Sequence, residues 1–397
     1  MAPASISERP SGAQASVRPL RILTLTPFYP SREDPAQGCF IADPLPWTQR
    51  FGVANQVFAA QPFYRRPMHE IGDGVPSRWL TYRSFPGKVG LVMSGAAMAR
   101  AVMPSVRRLH AHQRFDLLHA HAALPCGEAA AILSDRLGIP FVVSVHGLDA
   151  FATKQSGPWL APWSRKLSAN VYRRARAVIC ISRRVCEQVA RFVAANTVVV
   201  HNGVDVDRFS PGEESQSAPI ILSVGNLIPV KGQALLLRAF AKLIRDCPSC
   251  WLEIIGDGME RANLMHLAEA LGIAAQVRFR GRQSRQAIAE AMRQCSVFAL
   301  PSSYEGLGCV YLEAMASGKP AIACKGQGID DIIHHGKNGL LISPGNEQEL
   351  ADSLHTLLLS QDYRRRLGEA ARNTILERHT LQHQAQHLVR IYQECVR

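Results

Sequence analysis

The sequence predicts an α/β protein of two doubly wound parallel-sheet domains that face each other across a cleft. Short apolar, β-branched runs alternate with longer helical patterns along all 397 residues. These runs are continuously hydrophobic, which is typical of strands buried on both faces of a parallel sheet. The chain is too long for one ordinary core. A polar stretch, SPGEESQSAP at 210–219, separates the runs into two sets, so we expect one sheet on each side of it.

Six predicted strands lie before this stretch and six after it. The first set, in chain order, is LRILTLT (20–26), QVFAA (56–60), DLLHAH (116–121), FVVSVHG (141–147), AVICIS (177–182) and TVVVHNG (197–203). The second set is IILSVGN (220–226), WLEIIGDG (251–258), VRFRG (277–281), SVFALPS (296–302), PAIACKG (320–326) and GLLISPG (339–345). The predicted organisation is a disordered tail (1–19), a first domain (20–209), a linker (210–219), a second domain (220–380) and a C-terminal helix that crosses back to the first domain (381–397).

The bulk composition narrows the class of protein. With 47% apolar and 19% charged residues, the chain is typical of a globular protein. Residues 1–19 lack the apolar core of a secretory signal, and no stretch reaches the roughly 18 uninterrupted apolar residues of a membrane helix. Ten scattered cysteines suit reduced, buried thiols and a cytoplasmic location. Cys247 and Cys250 have no second pair or histidine cluster nearby, so we expect a turn there rather than a zinc or redox site.

The positive charge is concentrated in the first half. Residues 1–215 contain 25 Lys+Arg and 15 Asp+Glu, whereas residues 216–397 contain 20 and 17. This asymmetry favours an anionic partner for the first domain, such as membrane headgroups, a lipid phosphate or an acidic polymer. A generally basic surface without such a partner is the alternative. Aromatic residues are too few for a nucleic-acid stacking platform, so no nucleic acid is expected.

Residues 90–114 predict a helix with an apolar stripe and a basic flank. Such a helix either packs on the first sheet or lies on a membrane surface, as in peripheral enzymes. Pro104 is expected to interrupt the helix in both cases.

The segment PSSYEGLGCVYLEAMASGKP (301–320) follows a predicted strand and opens a helix. Its glycines allow close backbone approach, and the amides at a helix start suit a diphosphate. Glu305 and Glu313 would then hold hydroxyl-rich groups, such as a sugar and a ribose. Lys231, just beyond another strand of this domain, would counter phosphate charge, and Asp257 opens a tight turn after a third strand. These turns predict a nucleotide-diphosphate site at the carboxyl ends of the strands.

The motifs VGNLIPVKG, IIGDG, LPSSYEGLGCVYLEAMASGKP and NGLLISPGN resemble, in order and spacing, the retaining family-4 glycosyltransferases of the GT-B fold. In the first half, HGLD (146–149) and HNGVDVDRFSP (201–211) fit the same pattern. The resemblance implies that a sugar moves from a UDP-, GDP- or ADP-sugar to a glycan or lipid-linked acceptor, without a metal or other cofactor. Together with the basic first half, it favours a cytoplasmic enzyme of envelope or exopolysaccharide assembly at the inner face of the plasma membrane.

The resemblance also implies roles for individual residues. Glu305 would lie beside the donor sugar, Glu313 would bind the ribose hydroxyls, and Gly38 would match a glycine loop that closes over the pyrophosphate. The implied catalytic residues are Glu305, Lys231 and His146, the last at the end of a first-domain strand. The implied donor-binding residues are Gly38, Asn226, Lys231, Asp257, Gly306, Leu307, Gly308, Cys309, Val310 and Glu313.

Two positions depart from the family pattern. Asn226 stands where the family often has arginine, five residues before the lysine, and an amide brings no charge to a phosphate. Around Gly38 the sequence is AQGCF rather than a glycine pair. Lys325, or an arginine from elsewhere in the chain, are the alternatives for the missing charge at position 226.

Other signals have simpler interpretations. Asp205 and Asp207 match the Asp-x-Asp metal motif of another glycosyltransferase class, but two hard ligands do not make a metal site. His119 and His121 alternate at a strand end, so one is expected to face the cleft while the other packs.

Two further functions fit the same architecture. A sugar-nucleotide epimerase would convert a donor without an acceptor. A non-catalytic sugar-nucleotide-binding subunit of a polysaccharide assembly complex would bind a donor without turnover. The joint presence of Lys231, Glu305 and Glu313 favours the transferase over the silent subunit.

Overall fold

The computed structural model describes residues 18–72, 74–147, 149–150, 159–212 and 218–397, and it contains two parallel sheets. The predicted fold class is confirmed: each sheet is doubly wound and belongs to one domain. Most of the predicted tail, the centre of the linker (213–217) and Leu148 lie outside the described residues.

The first sheet has seven strands in the order β3-β2-β1-β4-β5-β6-β7, all parallel. Its strands are β1 (Leu20–Thr26), β2 (Val53–Pro62), β3 (Ser77–Tyr82), β4 (Leu117–His121), β5 (Phe141–Val145), β6 (Val178–Cys180) and β7 (Thr197–Val199). Its described helices are α1 (Cys39–Ala42), α2 (Leu45–Arg50), α3 (Lys88–His112), α4 (Glu128–Leu137), α5 (Ala161–Arg174) and α6 (Arg183–Ala190).

The second sheet has six parallel strands in the order β10-β9-β8-β11-β12-β13, the order typical of nucleotide-binding folds. Its strands are β8 (Ile220–Val224), β9 (Trp251–Ile255), β10 (Val277–Gly281), β11 (Val297–Ala299), β12 (Ala321–Cys324) and β13 (Leu340–Ile342). Its helices are α7 (Gln233–Leu243), α8 (Arg261–Ala270), α9 (Arg285–Gln294), α10 (Cys309–Ala316), α11 (Glu347–Leu359) and α12 (Gln361–Arg378).

The last helix, α13 (Leu381–Val396), packs on the first sheet. Its Leu388 and Tyr392 are buried against Ile22 and Leu117. The Tyr392 hydroxyl lies 2.7 Å from Nδ1 of His119. The chain therefore returns to the first domain after completing the second.

Helix α3 is continuous over 25 residues and contains Pro104, so the expected interruption at this proline is wrong. Met98, Val102 and Val106 are fully buried on the face that packs into the first domain, and this packing holds the helix together across a lost backbone hydrogen bond. By length and mean hydropathy (1.4), Val89–His112 is the one described helix that could span a membrane. Of the apolar 18-residue stretch within it, 39% is buried inside the protein. A helix at the core of a domain meets the same criteria.

Cys247 and Cys250 form a disulfide, which corrects the expectation of reduced thiols at this pair. The two residues lie in the turn between α7 and β9, as the sequence predicts, and Cys250 is buried. Within the described part of the chain, the other eight cysteines form no disulfide.

Candidate active site

A cavity of about 900 Å³ lies between the two domains, at the carboxyl ends of the strands. This is where ligands bind in doubly wound folds. Its first-domain lining includes Asp34, Pro35, Ala36, Phe40 and Arg208. Its second-domain lining includes Asn226, Lys231, Arg282, Arg285, Glu305, Gly308, Cys309 and Val310.

Lys231 and Glu305 form an ion pair inside this cavity, although 74 residues separate them in sequence. Lys231 ends a short 3₁₀ turn, and Gly232 follows it with a positive φ of 75°. A side chain at Gly232 would collide with the carbonyl oxygen of Pro301, so this glycine lets the lysine turn approach the Glu305 loop. Glu305 is only 8% exposed, and its backbone amide donates to Oε1 of Gln327 at 3.0 Å.

Helix α10 points its N-terminus into the cavity. Gly308 precedes the helix with φ of 85°, and none of the described side chains caps the first turn. Gly308, Cys309 and Val310 line the cavity, so uncapped amides and the positive end of the helix dipole face it. This arrangement favours an anion.

Gly306 and Leu307 have a different place from their neighbours. A side chain on Gly306 would lie 2.6 Å from the carbonyl oxygen of His146, and the Gly306 carbonyl accepts a hydrogen bond of 2.5 Å from the Ser182 hydroxyl. Leu307 is fully buried in the core. Both residues hold the glutamate loop against the first domain, and neither is among the residues that line the cavity.

Glu313 lies one helical turn beyond the cavity-lining part of α10. Burial raises its pKa to about 7, while the nearby Arg285 guanidinium lowers it and the Asp43 carboxylate raises it. Arg285 pairs with Asp43 across the cleft: its Nη1 donates a hydrogen bond to Oδ1 at 2.9 Å, and its Nη2 lies 2.7 Å from Oδ2 as an ion-pair contact. A guanidinium therefore lies between carboxylates from both domains.

His146 directly follows β5 and lines a narrow cavity beside Phe40, and it is not among the residues that line the main cavity. Its Nε2 lies 2.9 Å from Nδ1 of His121, and its ring contacts Phe40 edge-on at 4.8 Å between centroids. Its Nδ1 is buried and has no hydrogen-bond partner within the described part of the chain. Burial lowers the pKa of His146 to about 4, so its imidazole is neutral at pH 7 and Nδ1 can bond a hydroxyl.

His121 and His119 continue this cluster behind His146. Nε2 of His119 lies 2.7 Å from the Ser144 hydroxyl, and burial lowers the pKa of His119 to about 3. Both histidines are buried and line a separate narrow cavity of about 20 Å³ beside Phe40. His119 is thus fully paired within the fold, and His121 supports the ring of His146.

Of the remaining sequence-predicted residues, Asn226 lines the main cavity, whereas Gly38 and Asp257 do not. Gly38 has φ of 69°, and a side chain there would collide with the Phe28 backbone at 2.5 Å, which explains the glycine at the start of α1. Asn226 lines the cavity, and its carbonyl accepts from Gln233. Asp257 is exposed, accepts from the Gly258 amide at 2.8 Å and is not among the lining residues.

Sequence reasoning missed Arg285, Asp43, Arg208 and Arg282. Arg285 and Asp43 lie 242 positions apart, and neither stands in a glycine-bearing turn. Arg208 belongs to the HNGVDVDRFSP motif, which was a usable signal.

Asp205 accepts from the amides of Asp207 and Arg208 at 3.2 Å and 3.1 Å, so it caps a turn. No cluster of three or more metal-ligating side chains occurs among the described residues.

Two family models match the chain, with boundaries that meet between the two domains. The model for Glycosyltransferase Family 4 matches residues 49–208, and the model for Glycosyl transferases group 1 matches residues 205–374. A D-inositol 3-phosphate glycosyltransferase of Corynebacterium urealyticum is 30% identical over 378 residues, which span 86% of this chain and 87% of the relative. The chain belongs to the family 4 glycosyltransferases.

Other relatives of this glycosyltransferase agree in fold and extent. TuaC of Bacillus subtilis, assigned as a glycosyltransferase to teichuronic acid biosynthesis, is 26% identical over 84% of this chain and 88% of its own length. A sucrose-phosphate synthase from Thermosynechococcus elongatus superposes with a TM-score of 0.79 at 20% identity, covering 94% of this chain and 98% of that one. Anabaena HepE in complex with UDP superposes with a TM-score of 0.72 at 22% identity, covering 94% of this chain and 100% of that one. These superpositions support the GT-B architecture of the glycosyltransferase.

Proposed function

We propose that this glycosyltransferase moves a sugar from a nucleotide-diphosphate sugar to a hydroxyl of a glycan or lipid-linked acceptor, with retention of anomeric configuration and without a metal ion. The observation that carries the proposal is the convergence of the Lys231–Glu305 pair and the uncapped α10 amides on one interdomain cavity. An ammonium and helix-start amides suit a diphosphate. The UDP complex of HepE, a protein of similar fold, agrees with this choice of ligand.

The transfer breaks the bond between the anomeric carbon and the diphosphate oxygen and forms one to the acceptor oxygen. Negative charge develops on the departing diphosphate, where Lys231 and the amides of α10 stabilise it. In this proposal the acceptor attacks from the same face, and the leaving phosphate takes the acceptor's proton. Glu305 orients the sugar and does not attack it. The neutral His146, whose Nδ1 has no hydrogen-bond partner among the described residues, bonds a sugar hydroxyl.

A thermal-shift screen against UDP-, GDP- and ADP-sugars tests the donor class. A matching donor should raise the melting temperature, since a ligand at about 100 times its dissociation constant adds about 2.7 kcal/mol of stability. The matching donor is then incubated with and without acceptors, and the anomeric configuration of the product is read by NMR. Conversion of the donor to an epimer without acceptor, or binding without turnover over a broad acceptor panel, would contradict the transferase.

Nucleotide binding is expected to weaken about tenfold between pH 8 and pH 6, because the Glu313 carboxylate must be ionised to accept both ribose hydroxyls. Its pKa is raised to about 7, so the carboxylate dominates above pH 7 and is lost as the pH falls through this value. Calorimetry of nucleoside diphosphate binding across this range measures the effect. Glu313→Gln should bind weakly at every pH and retain only the pH dependence of the phosphate itself. Parallel pH profiles for both proteins would contradict the ribose role of Glu313.

The nature of the acceptor and the charge of the first domain bear on where in the cell the reaction takes place. TuaC is assigned to teichuronic acid biosynthesis, which favours an acidic or lipid-linked envelope glycan as the acceptor. We propose that the enzyme works in the cytoplasm and contacts the inner face of the plasma membrane through its first domain. The basic first half supports this contact because cytoplasmic leaflets are anionic.

An exposed apolar patch on the first domain is the candidate contact surface. Its members lie after β2, after β3 and on the first turns of α3, and they are exposed by 43–65%: Phe63, Tyr64, Phe85, Val89 and Met93. The Tyr64 ring contacts that of Phe63 at 5.8 Å, and its hydroxyl reaches the Phe85 carbonyl at 3.5 Å. Residues 63–114 around the patch contain nine Lys+Arg and two Asp+Glu. Aromatic side chains flanked by cations suit an anionic bilayer surface.

Vesicle flotation tests this contact. The protein should float with vesicles that contain phosphatidylglycerol and remain unbound to pure phosphatidylcholine. The triple variant Phe63→Ser, Phe85→Ser, Met93→Ser should lose flotation, whereas Leu359→Ser, at a residue 66% exposed on the second domain, should float like wild type. Equal flotation of the triple variant would contradict the patch, and self-association through it would assign the surface to a second copy.

A further inference from the structure

The part of the main cavity around Lys231 and Asn226 holds little uncompensated positive charge for a bound diphosphate. Lys231 is already paired with the Glu305 carboxylate, and Asn226 adds an amide where the resembled family often has a guanidinium. A nucleoside diphosphate brings at least two negative charges. The structure must therefore supply another cation to this ligand, or bind it weakly.

Three arginines line the cavity besides Lys231. Arg282 is mostly solvated, with 73% of its side chain exposed and its nearest carboxylate, Asp34, at 3.8 Å. Arg208 is 34% exposed and lies 3.7 Å from Asp205. Arg285 is the most buried of the three arginines, with only 20% of its side chain exposed. Lys325, which the sequence offered as an alternative, is 49% exposed, lies 4.0 Å from Glu349 and is not among the lining residues.

The position of Arg285 in its helix is unfavourable without a partner or ligand. It is the first residue of α9, directly after Ser284, whose side chain caps the helix by accepting from the Ala287 amide at 3.1 Å. A cation in the first turn opposes the helix dipole, which favours anions there. The cavity thus holds a guanidinium at a helix end where both the dipole and the charge would favour a bound anion.

Asp43 of the first domain pairs with this guanidinium through one hydrogen bond and one ion-pair contact, which involve both carboxylate oxygens. Asp43 follows α1, the short helix that begins after Gly38, so the pair ties the glycine loop to α9. Cys39 at the start of α1 also lies within electrostatic range of Arg285. Two oxygens of a phosphate group can accept paired hydrogen bonds from a guanidinium, as the two oxygens of a carboxylate do.

We propose that Arg285 is a donor-binding residue of this chain, and that it exchanges the Asp43 carboxylate for the diphosphate of the nucleotide sugar. It supplies the charge that Asn226 lacks. The inference rests on the proposed function, since its ligand is the donor of that reaction. The competing role is a fixed interdomain ion pair, in which Arg285 stays on Asp43 and serves only to hold the domains together.

Calorimetric titration with UDP, GDP and ADP tests the exchange, using whichever nucleotide the wild-type protein binds, and inorganic pyrophosphate as a competitor. Arg285→Ala should weaken nucleotide binding about 10- to 100-fold, as expected for a lost charge-assisted hydrogen bond. Pyrophosphate competition should weaken by a similar factor. The nucleotide affinity of Arg285→Lys should lie between those of the wild-type protein and Arg285→Ala, because lysine keeps the charge and loses the paired geometry. Arg238→Ala, a control at a half-exposed arginine that pairs with Glu347 outside the cavity, should change binding less than about threefold.

Two variants separate exchange from a fixed ion pair. Asp43→Asn frees the guanidinium, so it should bind the nucleotide at least as tightly as wild type, whereas a fixed pair predicts a loss equal to that of Arg285→Ala. Restoring an arginine with Asn226→Arg in the Arg285→Ala background should recover about tenfold in affinity. Thermal unfolding of each variant identifies any that fails to fold.

Each outcome decides the inference. Matching losses in Asp43→Asn and Arg285→Ala, or no recovery from Asn226→Arg, would overturn it in favour of the fixed pair. If the wild-type protein binds a nucleotide and Arg285→Ala binds it equally well, the inference fails while the proposed function stands. If the wild-type protein binds none of the three nucleotides, the proposed function itself fails and the inference with it.

Discussion

Lys231→Ala is expected to lower kcat/KM for sugar transfer by about 10³-fold, the upper end of the loss caused by removing one donor that stabilises developing charge. Lys231 lies in the cavity with 19% of its side chain exposed, so solvent cannot replace its ammonium at the leaving diphosphate. Both nucleotide affinity and kcat should fall, because the charge acts on the bound and the departing diphosphate. Initial rates with saturating acceptor, combined with nucleotide titration, measure the two effects.

Lys231→Ala also leaves the Glu305 carboxylate without its ion-pair partner. Glu305 is buried and would lose its cation, so the free energy of unfolding should fall by about 1–3 kcal/mol in urea denaturation. Lys242→Ala is the matched control, since Lys242 is 46% exposed and pairs with Glu347 at the surface. That variant should remain near wild type in rate and stability. A Lys231→Ala enzyme that folds and turns over at the wild-type rate would remove Lys231 from the mechanism.

Glu305→Gln is expected to lower kcat about 10²-fold while leaving the affinity for the free nucleoside diphosphate within about threefold. The amide keeps the shape of the side chain and can still accept from Lys231, so the fold should persist. What is lost is the negative charge beside the sugar, which the free nucleotide does not carry. This separation of kcat from nucleotide affinity distinguishes Glu305 from Lys231.

The matched control for Glu305→Gln is Glu290→Gln, at a residue 51% exposed and paired with Arg293 within one helix. It should transfer sugar at the wild-type rate. Equal losses of nucleotide affinity and kcat in Glu305→Gln would place Glu305 at the nucleotide instead of the sugar, and unchanged kinetics would exclude it from the site.

Twelve of the thirteen described strands were predicted, and most of them are continuous apolar runs because burial on both faces leaves little room for polar side chains. The exception is β10, VRFRG, in which half-buried and exposed residues alternate. The strand that was missed, β3, has the sequence SRWLTY and lies at the edge of the first sheet. Its side chains are mostly half-buried or exposed, so its sequence lacks the hydrophobic signature. The Pro104 error has a related cause: tertiary packing of α3 outweighed a local helix breaker.

The predicted site residues that follow strands of the second domain do share a cavity. Lys231, Glu305 and the start of α10 each lie after a strand of the same sheet, and parallel strands bring their carboxyl ends to one edge. Asp257 follows the same rule in sequence, yet its side chain turns to its own backbone and to solvent. The Arg285–Asp43 pair could not be predicted, because it depends on how the two domains meet and on no local pattern.

The return of α13 to the first sheet has a consequence for mechanical behaviour. The outgoing and returning segments hydrogen-bond to each other: the Val204 amide donates to the His379 carbonyl at 3.0 Å, and the Leu381 amide donates to the Val204 carbonyl at 3.2 Å. Because the two covalent connections between the domains hydrogen-bond to each other, they join the domains at one place, and we expect any motion of one domain against the other to pivot there. A fragment ending at residue 380 would leave Ile22 and Leu117 uncovered, and it should aggregate although every cavity residue is intact.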